Sequence, residues 1–381
     1  MCVVNSMNIP FAPPYITEDE INAAIEVLRS GWLSMGYKTL EFENKFAEYI
    51  GSKHAVATNS CTSALFLSLK VLGIKKGDEV ITTPFTFAAT ANVIVHCGAK
   101  PVFVDIEEET YNINADKIEE KITDKTKAII VVHYGGQPAD MKKIMKIARE
   151  YDLKVIEDAA HAVGSEYEKG KKVGSFGNLT CFSFYATKPM TTGEGGMITL
   201  NSDDLNEELR ILRLHGISRD AWKRYLEKDN WYYEVIEAGY KFNPTDISSA
   251  IGLEQLKKLD WMNERRKEIA EYYNEHLQGL DIIRPHIDSN VKSSYHLYPI
   301  RLINYDRNKF IKKMAQNGIG TSVHFIPLHL MPFYRKRYGY KRGDFPVAEK
   351  VFENIVSLPI YPQLTEKQLE FIVKSIKEII R

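Results

Sequence analysis

The sequence contains few cysteines, and none of them forms a metal-binding pattern. No two of the four are arranged as C-x-x-C, so we expect neither a zinc site nor a disulfide framework, and no other metal, from Cys2, Cys61, Cys97 and Cys181. Scattered cysteines in a chain of 381 residues fit a reducing cytoplasm, where most of them would be small buried residues.

The sequence also lacks an excess of either charge and a long apolar run. Lysine plus arginine number 50, as do aspartate plus glutamate, so the formal net charge is zero. A nucleic-acid-binding protein usually shows a basic excess, so that class is not favoured, and only a local basic pocket for a phosphorylated substrate stays open. The sequence contains no run of about 18 apolar residues, which is the length needed to span a membrane. The start, MCVVNSMNIP, lacks the pattern of a signal peptide, so we expect a cytoplasmic protein.

The chain does contain a regular alternation of apolar runs and helical patterns. A first helix opens at Thr17, which has capping-box spacing to Glu20, and Gly31 is a natural stop for it. Beyond it, strands such as DEVITTP, KAIIVVHY and KVIEDAA alternate with helices such as FAATANVIVHCG, NADKIEEKI and ADMKKIMKIAREYD. This alternation is typical of an α/β fold with a mainly parallel sheet covered on both faces.

From about Thr245 the pattern changes to long helices, followed by YHLYPIRLI and a final helix after Thr365. A chain of this length commonly divides into two domains. We therefore predict a large domain over residues 1–255 and a smaller α+β domain over residues 256–381.

Several polar side chains follow predicted strands of the large domain. Asp158 ends KVIED, Ser183 lies in CFSF, and Lys188 stands between that run and the glycine loop GEGG. The turn NSCTSA, residues 59–64, precedes a helix, so its amides could bind an anion. Ligands of open α/β sheets lie at the carboxyl ends of the strands. This set suits pyridoxal phosphate, which requires a lysine, a carboxylate for its ring nitrogen and donors for its phosphate.

Eight motifs follow one another along nearly the whole chain: SGWLSMGYKTLEFE, NSCTSALFLSL, PFTFAATANVIVHCGAKPVFVDI, HYGGQPADM, IEDAAHAVGSEY, FSFYATKPMTTGEGGM, GYKFNPTDISSAIGLEQL and SLPIYPQLT. Together they resemble the sugar aminotransferases of the DegT/DnrJ/EryC1/StrS family. The resemblance implies the type I, aspartate aminotransferase-like fold and pyridoxal 5'-phosphate as the cofactor.

The resemblance also implies roles for individual residues. Lys188 would be the catalytic lysine, which forms a Schiff base with the cofactor and later moves the proton. Asp158 would pair with the ring nitrogen, Phe87 would stack on the ring, and His161 would lie near the ring's phenolic edge. The phosphate would be held by Thr62, Ser63 and Ser183.

Further positions carry implications for assembly and substrate. Asn243 would reach the cofactor of the neighbouring subunit, which requires a homodimer, and Lys241 and His329 would lie near the nucleotide-sugar. The chain departs from the family pattern at two positions. Cys61 stands where many relatives have glycine, and Pro189 stands where asparagine is common. Proline fixes its own φ and favours an extended conformation at the preceding residue, Lys188, so it could change the orientation of the lysine.

The implied reaction is a ping-pong transfer of an amino group from L-glutamate to a keto sugar on a nucleoside diphosphate. HYGGQPAD, DAAHAVG and GYKFNPTDI are most similar to members that aminate C4, including those that act on UDP-4-keto sugars. Amination at C3, a related sugar dehydratase and a non-catalytic regulatory protein are alternatives, although the dehydratases have histidine in place of Lys188. His133 and His296 lie on apolar strands, and we expect both to be hydrogen-bonded core residues.

Overall fold

The computed structural model describes residues 8–168, 170–218 and 232–380; Cys2 lies outside them. Its strands are β1 (His54–Thr58), β2 (Glu79–Thr82), β3 (Lys100–Phe103), β4 (Thr126–Val132), β5 (Lys154–Asp158), β6 (Glu166–Glu168), β7 (Lys171–Lys172), β8 (Leu179–Ser183), β9 (Gly196–Leu200), β10 (Ile282–Ile283), β11 (Tyr298–Leu302) and β12 (Ile355–Leu358). Its α-helices are α1 (Glu18–Ser30), α2 (Tyr37–Ile50), α3 (Cys61–Val71), α4 (Ala88–His96), α5 (Met141–Glu150), α6 (Asp203–Arg213), α7 (Asp246–His276), α8 (Arg307–Gln316), α9 (Pro332–Tyr338), α10 (Pro346–Asn354) and α11 (Glu366–Ile380).

The largest sheet has seven strands in the order β1-β9-β8-β5-β4-β2-β3. The pairs from β8 to β3 are parallel, whereas β9 runs antiparallel to both of its neighbours. Side chains alternate between two apolar cores along β4, where Ile129 and Val131 join one core and Ala128 and Ile130 join the other. The sheet is therefore mainly parallel and covered on both faces, which confirms the predicted fold class.

Apart from the two cores that cover the large sheet, a further core, called the second core below, surrounds the antiparallel sheet β10-β11-β12. The 31-residue helix α7 connects the large sheet to the second core. Leu259 and Met262 pack in the core of the large sheet that contains Ile129, whereas Ile269 and Tyr273 pack in the second core. The predicted division between residues 255 and 256 falls inside this helix. Among the described residues, no helix combines the length and apolar character needed to cross a membrane.

One helix predicted from local sequence signals is present in the structure, and another is not. The capping box of α1 is confirmed: the Thr17 amide donates to Glu20 at 2.8 Å, and Gly31 ends the helix at φ +76°. The predicted helix in NADKIEEKI was wrong, because this stretch forms two short 3-10 turns, Ala115–Lys117 and Glu119–Lys121. So short a segment gains little from α-helical propagation, and the tighter turn directs Ala115 and Ile118 into the core.

The sheet topology brings several chain segments to one edge. Strands β4, β5 and β8 are parallel, so their carboxyl ends meet there. Strand β1 has the same direction, because it and β8 are both antiparallel to β9. The amino terminus of α3, which follows β1, therefore lies beside the ends of β5 and β8.

Candidate active site

A cavity of about 630 Å³ lies at this edge of the large sheet. Six predicted site residues from the part of the chain that forms the large sheet line the cavity, namely Thr62, Phe87, Asp158, His161, Ser183 and Lys188. Other lining residues come from distant parts of the chain, namely Phe11, His296, Val323, His324 and Phe325. The cavity is therefore bounded by the edge of the large sheet and by segments around residues 11, 296 and 323–325, and only the first of these boundaries was predicted from the sequence.

Lys188 lies in the loop that connects β8 to β9. Its amide donates to the Tyr185 carbonyl at 2.9 Å, and the next carbonyl, that of Pro189, accepts a hydrogen bond from Arg266 Nη2 at 3.1 Å. Enclosure of the amine lowers the pKa of Lys188 from 10.5 to about 8, although the nearby Cys61 thiol and Asp158 carboxyl oppose this shift. The amine can therefore lose its proton near neutral pH.

Asp158 is the last residue of β5, and its carboxyl group is buried at the cavity wall. Thr90 Oγ1 donates to Oδ2 at 2.7 Å, and the Ala160 amide donates to Oδ1 at 3.2 Å. Burial raises the pKa of Asp158, whereas these hydrogen bonds and the Lys188 charge oppose that effect. A cation placed in the cavity would stabilise the carboxylate further.

The amino terminus of α3 lies beside Ser183 and has the geometry of an anion site. Ser60 caps the helix by accepting from the Ser63 amide at 3.1 Å, and the amides of the first turn have no acceptor within the helix. Thr62 lines the cavity, whereas the Ser63 hydroxyl turns inward and donates to Asn59 Oδ1 at 2.6 Å. Gly196 packs against this turn so closely that an added Cβ would lie 2.5 Å from the Ser60 carbonyl carbon.

Three histidines face the cavity. His161 Nδ1 accepts from the Gly135 amide at 3.2 Å, so its other nitrogen carries the proton when the ring is neutral. Burial lowers the pKa of His161 and His296 well below 6.5, and it lowers the pKa of His324 to about 4. All three rings are therefore neutral at pH 7, and they do not form a metal site: among the described residues, no group of three or more histidine, cysteine or acidic residues could hold a metal ion.

The two histidines expected in the core have different environments. The prediction is confirmed for His133, which is fully buried with Nε2 2.9 Å from Glu157. It was wrong for His296, which lines the cavity 4.4 Å from the His161 ring. His324 also lines the cavity and was not predicted, although it stands only five residues before the predicted His329.

Four predicted residues do not line the cavity of this chain, namely Ser63, described above, and Lys241, Asn243 and His329. Lys241 is exposed, and Asn243 Nδ2 donates to the Pro244 carbonyl at 2.9 Å. His329 is buried with Nε2 2.8 Å from Glu349 Oε1, so its contact with a nucleotide-sugar stays a prediction.

The sequence pattern of the DegT/DnrJ/EryC1/StrS aminotransferase family matches residues 14–377. The chain belongs to this family. It is 46% identical over 379 residues to the Bacillus subtilis spore coat polysaccharide biosynthesis protein SpsC, and the match covers 98% of this chain and 97% of SpsC.

Two solved structures of sugar aminotransferases are similar to the whole chain. Protein Spr1654 of Streptococcus pneumoniae in its PMP form has a TM-score of 0.92 and 36% identity, and the match covers 98% of this chain and 99% of Spr1654. PseC of Helicobacter pylori, an aminotransferase involved in the biosynthesis of pseudoaminic acid, has a TM-score of 0.90 and 33% identity. That match covers 98% of this chain and 99% of PseC.

Family membership confirms the predicted enzyme class and cofactor: this DegT/DnrJ/EryC1/StrS protein is a sugar aminotransferase that uses pyridoxal phosphate. The donor set of the cavity fits that cofactor independently. It offers an amine that can be uncharged, a buried carboxyl group without a cationic hydrogen-bond partner among the described residues, and the first-turn amides of α3 beside two hydroxyls.

Proposed function

We propose that this aminotransferase moves an amino group from L-glutamate to the C4 keto group of a sugar carried on UDP. The observation that carries the proposal is the presence of Lys188, with a pKa of about 8, beside Asp158 in one cavity. The similarity to SpsC and PseC, whose names refer to polysaccharide and pseudoaminic acid biosynthesis, supports a sugar acceptor. The motifs quoted above support C4 and UDP over the C3 alternative.

Lys188 is the residue proposed to move the proton. Pyridoxal phosphate supplies an electron sink that stabilises negative charge on the substrate carbon. With a pKa of about 8, roughly a tenth of the Lys188 amines are uncharged at pH 7, compared with fewer than about one in a thousand for a lysine at 10.5. An uncharged Nζ can accept the proton from the α-carbon of the donor and later return a proton to the product.

The other cavity residues would hold the cofactor. The Asp158 carboxylate would keep a proton on the ring nitrogen of the cofactor, and Phe87, which is 65% exposed, would stack on that ring. Thr62, Ser183 and the α3 amides would bind the phosphate, with Ser63 supporting the same turn through Asn59. His161 would contact the phenolic edge with its Nε2 proton.

We further propose a cytoplasmic homodimer with shared active sites. Asn243 and Lys241 lie outside the cavity of their own chain, so they are free to complete the cavity of a partner. Large apolar side chains near α1 and α2 remain exposed in the single chain, including Trp32 at 39% and Tyr37 at 71%, as expected for a surface covered in an oligomer. The scattered cysteines fit the cytoplasm.

A screen of keto sugars tests the proposed substrate. The purified enzyme is incubated with glutamate and UDP-, GDP- or dTDP-linked 3-keto and 4-keto sugars, and amino sugars are detected by mass spectrometry. We expect UDP-linked 4-keto sugars to have the highest kcat/KM. Preferential amination at C3, or preference for another nucleotide, would replace the proposed acceptor with the one observed.

A further inference from the structure

His296 differs from the other two cavity histidines in its hydrogen bonds. One nitrogen of His161 is committed to the Gly135 amide, and Nδ1 of His324 lies 2.9 Å from Ser357 Oγ. Within residues 8–168, 170–218 and 232–380, neither ring nitrogen of His296 has a hydrogen-bond partner. His296 is nevertheless only 8% exposed, and it lines the cavity.

The ring nitrogens of His296 open onto the cavity and are not sealed in the core, so they are available to a ligand. A polar side chain that lines a cavity without a protein partner can position a bound molecule. The His296 ring lies 4.4 Å from the His161 ring, and Lys188 lines the same cavity near enough for its charge to act on both rings. A ligand group that satisfies His296 would therefore lie close to the reacting amine.

The surroundings of His296 determine which group that is. The ring is enclosed, and the positive charges near it belong to Lys188 and Arg266, so it stays neutral. A neutral imidazole offers one N–H donor and one acceptor nitrogen. A sugar hydroxyl can pair with whichever of the two nitrogens faces the cavity, because a hydroxyl both donates and accepts, whereas a carboxylate of the amino donor can pair only with the N–H.

We propose that His296 is a specificity-determining residue that hydrogen-bonds a hydroxyl group of the acceptor sugar near its keto carbon. The proposal rests on the proposed keto-sugar acceptor. It separates the two substrates of the enzyme, because the acceptor sugar uses His296 and the amino acid donor does not.

The test measures the two half-reactions separately with the pyridoxal phosphate-loaded enzyme. His296→Leu removes both nitrogens, His296→Gln keeps a donor and an acceptor, and His286→Gln changes an exposed histidine outside the cavity. We expect His296→Leu to lower kcat/KM for the keto sugar by roughly 10- to 100-fold and to leave the glutamate half-reaction within about twofold of wild type. His296→Gln should recover most of the loss, and His286→Gln should match wild type.

Binding supplies a readout that is independent of turnover. Calorimetric titration of the loaded enzyme with the corresponding unreactive alcohol, and with analogues that each lack one hydroxyl, compares wild type with His296→Leu. We expect the variant to bind the alcohol about tenfold more weakly and to bind one deoxy analogue as wild type does. An equal loss in both half-reactions, or the same binding deficit for every analogue, overturns the proposal. If wild type aminates no keto sugar, the proposed function fails first and His296 loses its proposed partner with it.

Discussion

Lys188 is distinguished from other lysines by its enclosure, so its removal should affect chemistry and not folding. We expect Lys188→Ala to lower amino transfer by at least about 10²- to 10⁴-fold, because no other described group replaces the amine that moves the proton. The measurement is turnover on one accepted keto sugar, with circular dichroism to verify folding. Lys142→Ala, on the exposed face of α5, is the matched control and should retain full activity. A folded Lys188→Ala variant with more than about a tenth of wild-type turnover would contradict the assignment.

The same lysine should reduce the stability of the cofactor-free protein. Its pKa is about 8 in the folded state and near 10.5 when unfolded, so the unfolded state binds the proton more tightly. The resulting loss in the free energy of unfolding is greatest below about pH 8 and disappears as the pH rises through 10.5. We expect cofactor-free Lys188→Met to be more stable than wild type by about 1–3 kcal/mol at pH 7, allowing for partial exposure to the cavity. Urea unfolding at pH 7 and 10 measures the difference, and a gap that does not shrink at pH 10 would argue against an enclosed amine.

Single residues also show how far sequence reasoning reached into the site. Asp158 and Ser183 end strands β5 and β8, and Lys188 lies in the loop shortly after β8, so the strand pattern predicted their common edge. His296 and His324 come from segments outside the large sheet, more than 100 residues further along the chain, and no local pattern reveals which side chains face them. The position of these histidines beside the cavity depends on how their segments pack against the large sheet, and the hydrophobic periodicity of the sequence does not predict that packing.

At the scale of elements, the close contact between β9 and α3 predicts a role for Gly196. A Cβ on this residue would lie 2.5 and 2.7 Å from the Ser60 carbonyl carbon and the Cys61 nitrogen, so β9 or the helix terminus must shift. We expect Gly196→Ala to weaken cofactor binding by about tenfold or more, since the α3 amides would move relative to Ser183. Fluorescence titration with pyridoxal phosphate measures the dissociation constant.

The control for this change is Gly279→Ala, where φ is +75° but an added Cβ meets no atom within 4 Å. It introduces similar or greater backbone strain far from the cavity, so it should lower the melting temperature without changing cofactor affinity. Equal affinities for the two variants would show that the β9–α3 contact does not position the phosphate site.

Helices were predictable where their signals are local. The Thr17–Glu20 box and Gly31 define α1 through contacts within a few residues, and both were readable. The NADKIEEKI stretch has helix-forming residues, but it forms 3-10 turns because these bring Ala115 and Ile118 into contact with the core. Likewise, no signal within residues 246–276 shows that one helix serves two cores.

At the scale of the whole molecule, the proposed shared sites predict complementation between inactive subunits. Lys188→Ala and Asn243→Ala homodimers should both be impaired. In a mixed dimer one site contains both defects and the other contains neither, so equal mixing should restore about a quarter of wild-type activity. Subunits are mixed under conditions that allow exchange, and activity is followed with size-exclusion chromatography. No gain after verified exchange, or full activity in a stable monomer, would rule out a contribution of Asn243 to its partner.

The pairing of Ile9 with the second core has a consequence for synthesis of the protein. The Ile9 amide donates to the Gly318 carbonyl and its carbonyl accepts from the Gly320 amide, each at 2.8 Å, and its side chain is fully buried in that core. The ribosome therefore makes one half of this contact about 310 residues before the other. At 5–20 residues per second the nascent amino-terminal segment waits roughly 15–60 seconds for its partner. During that interval the large sheet can assemble, but the cavity still lacks the wall that contains Phe11 and His324.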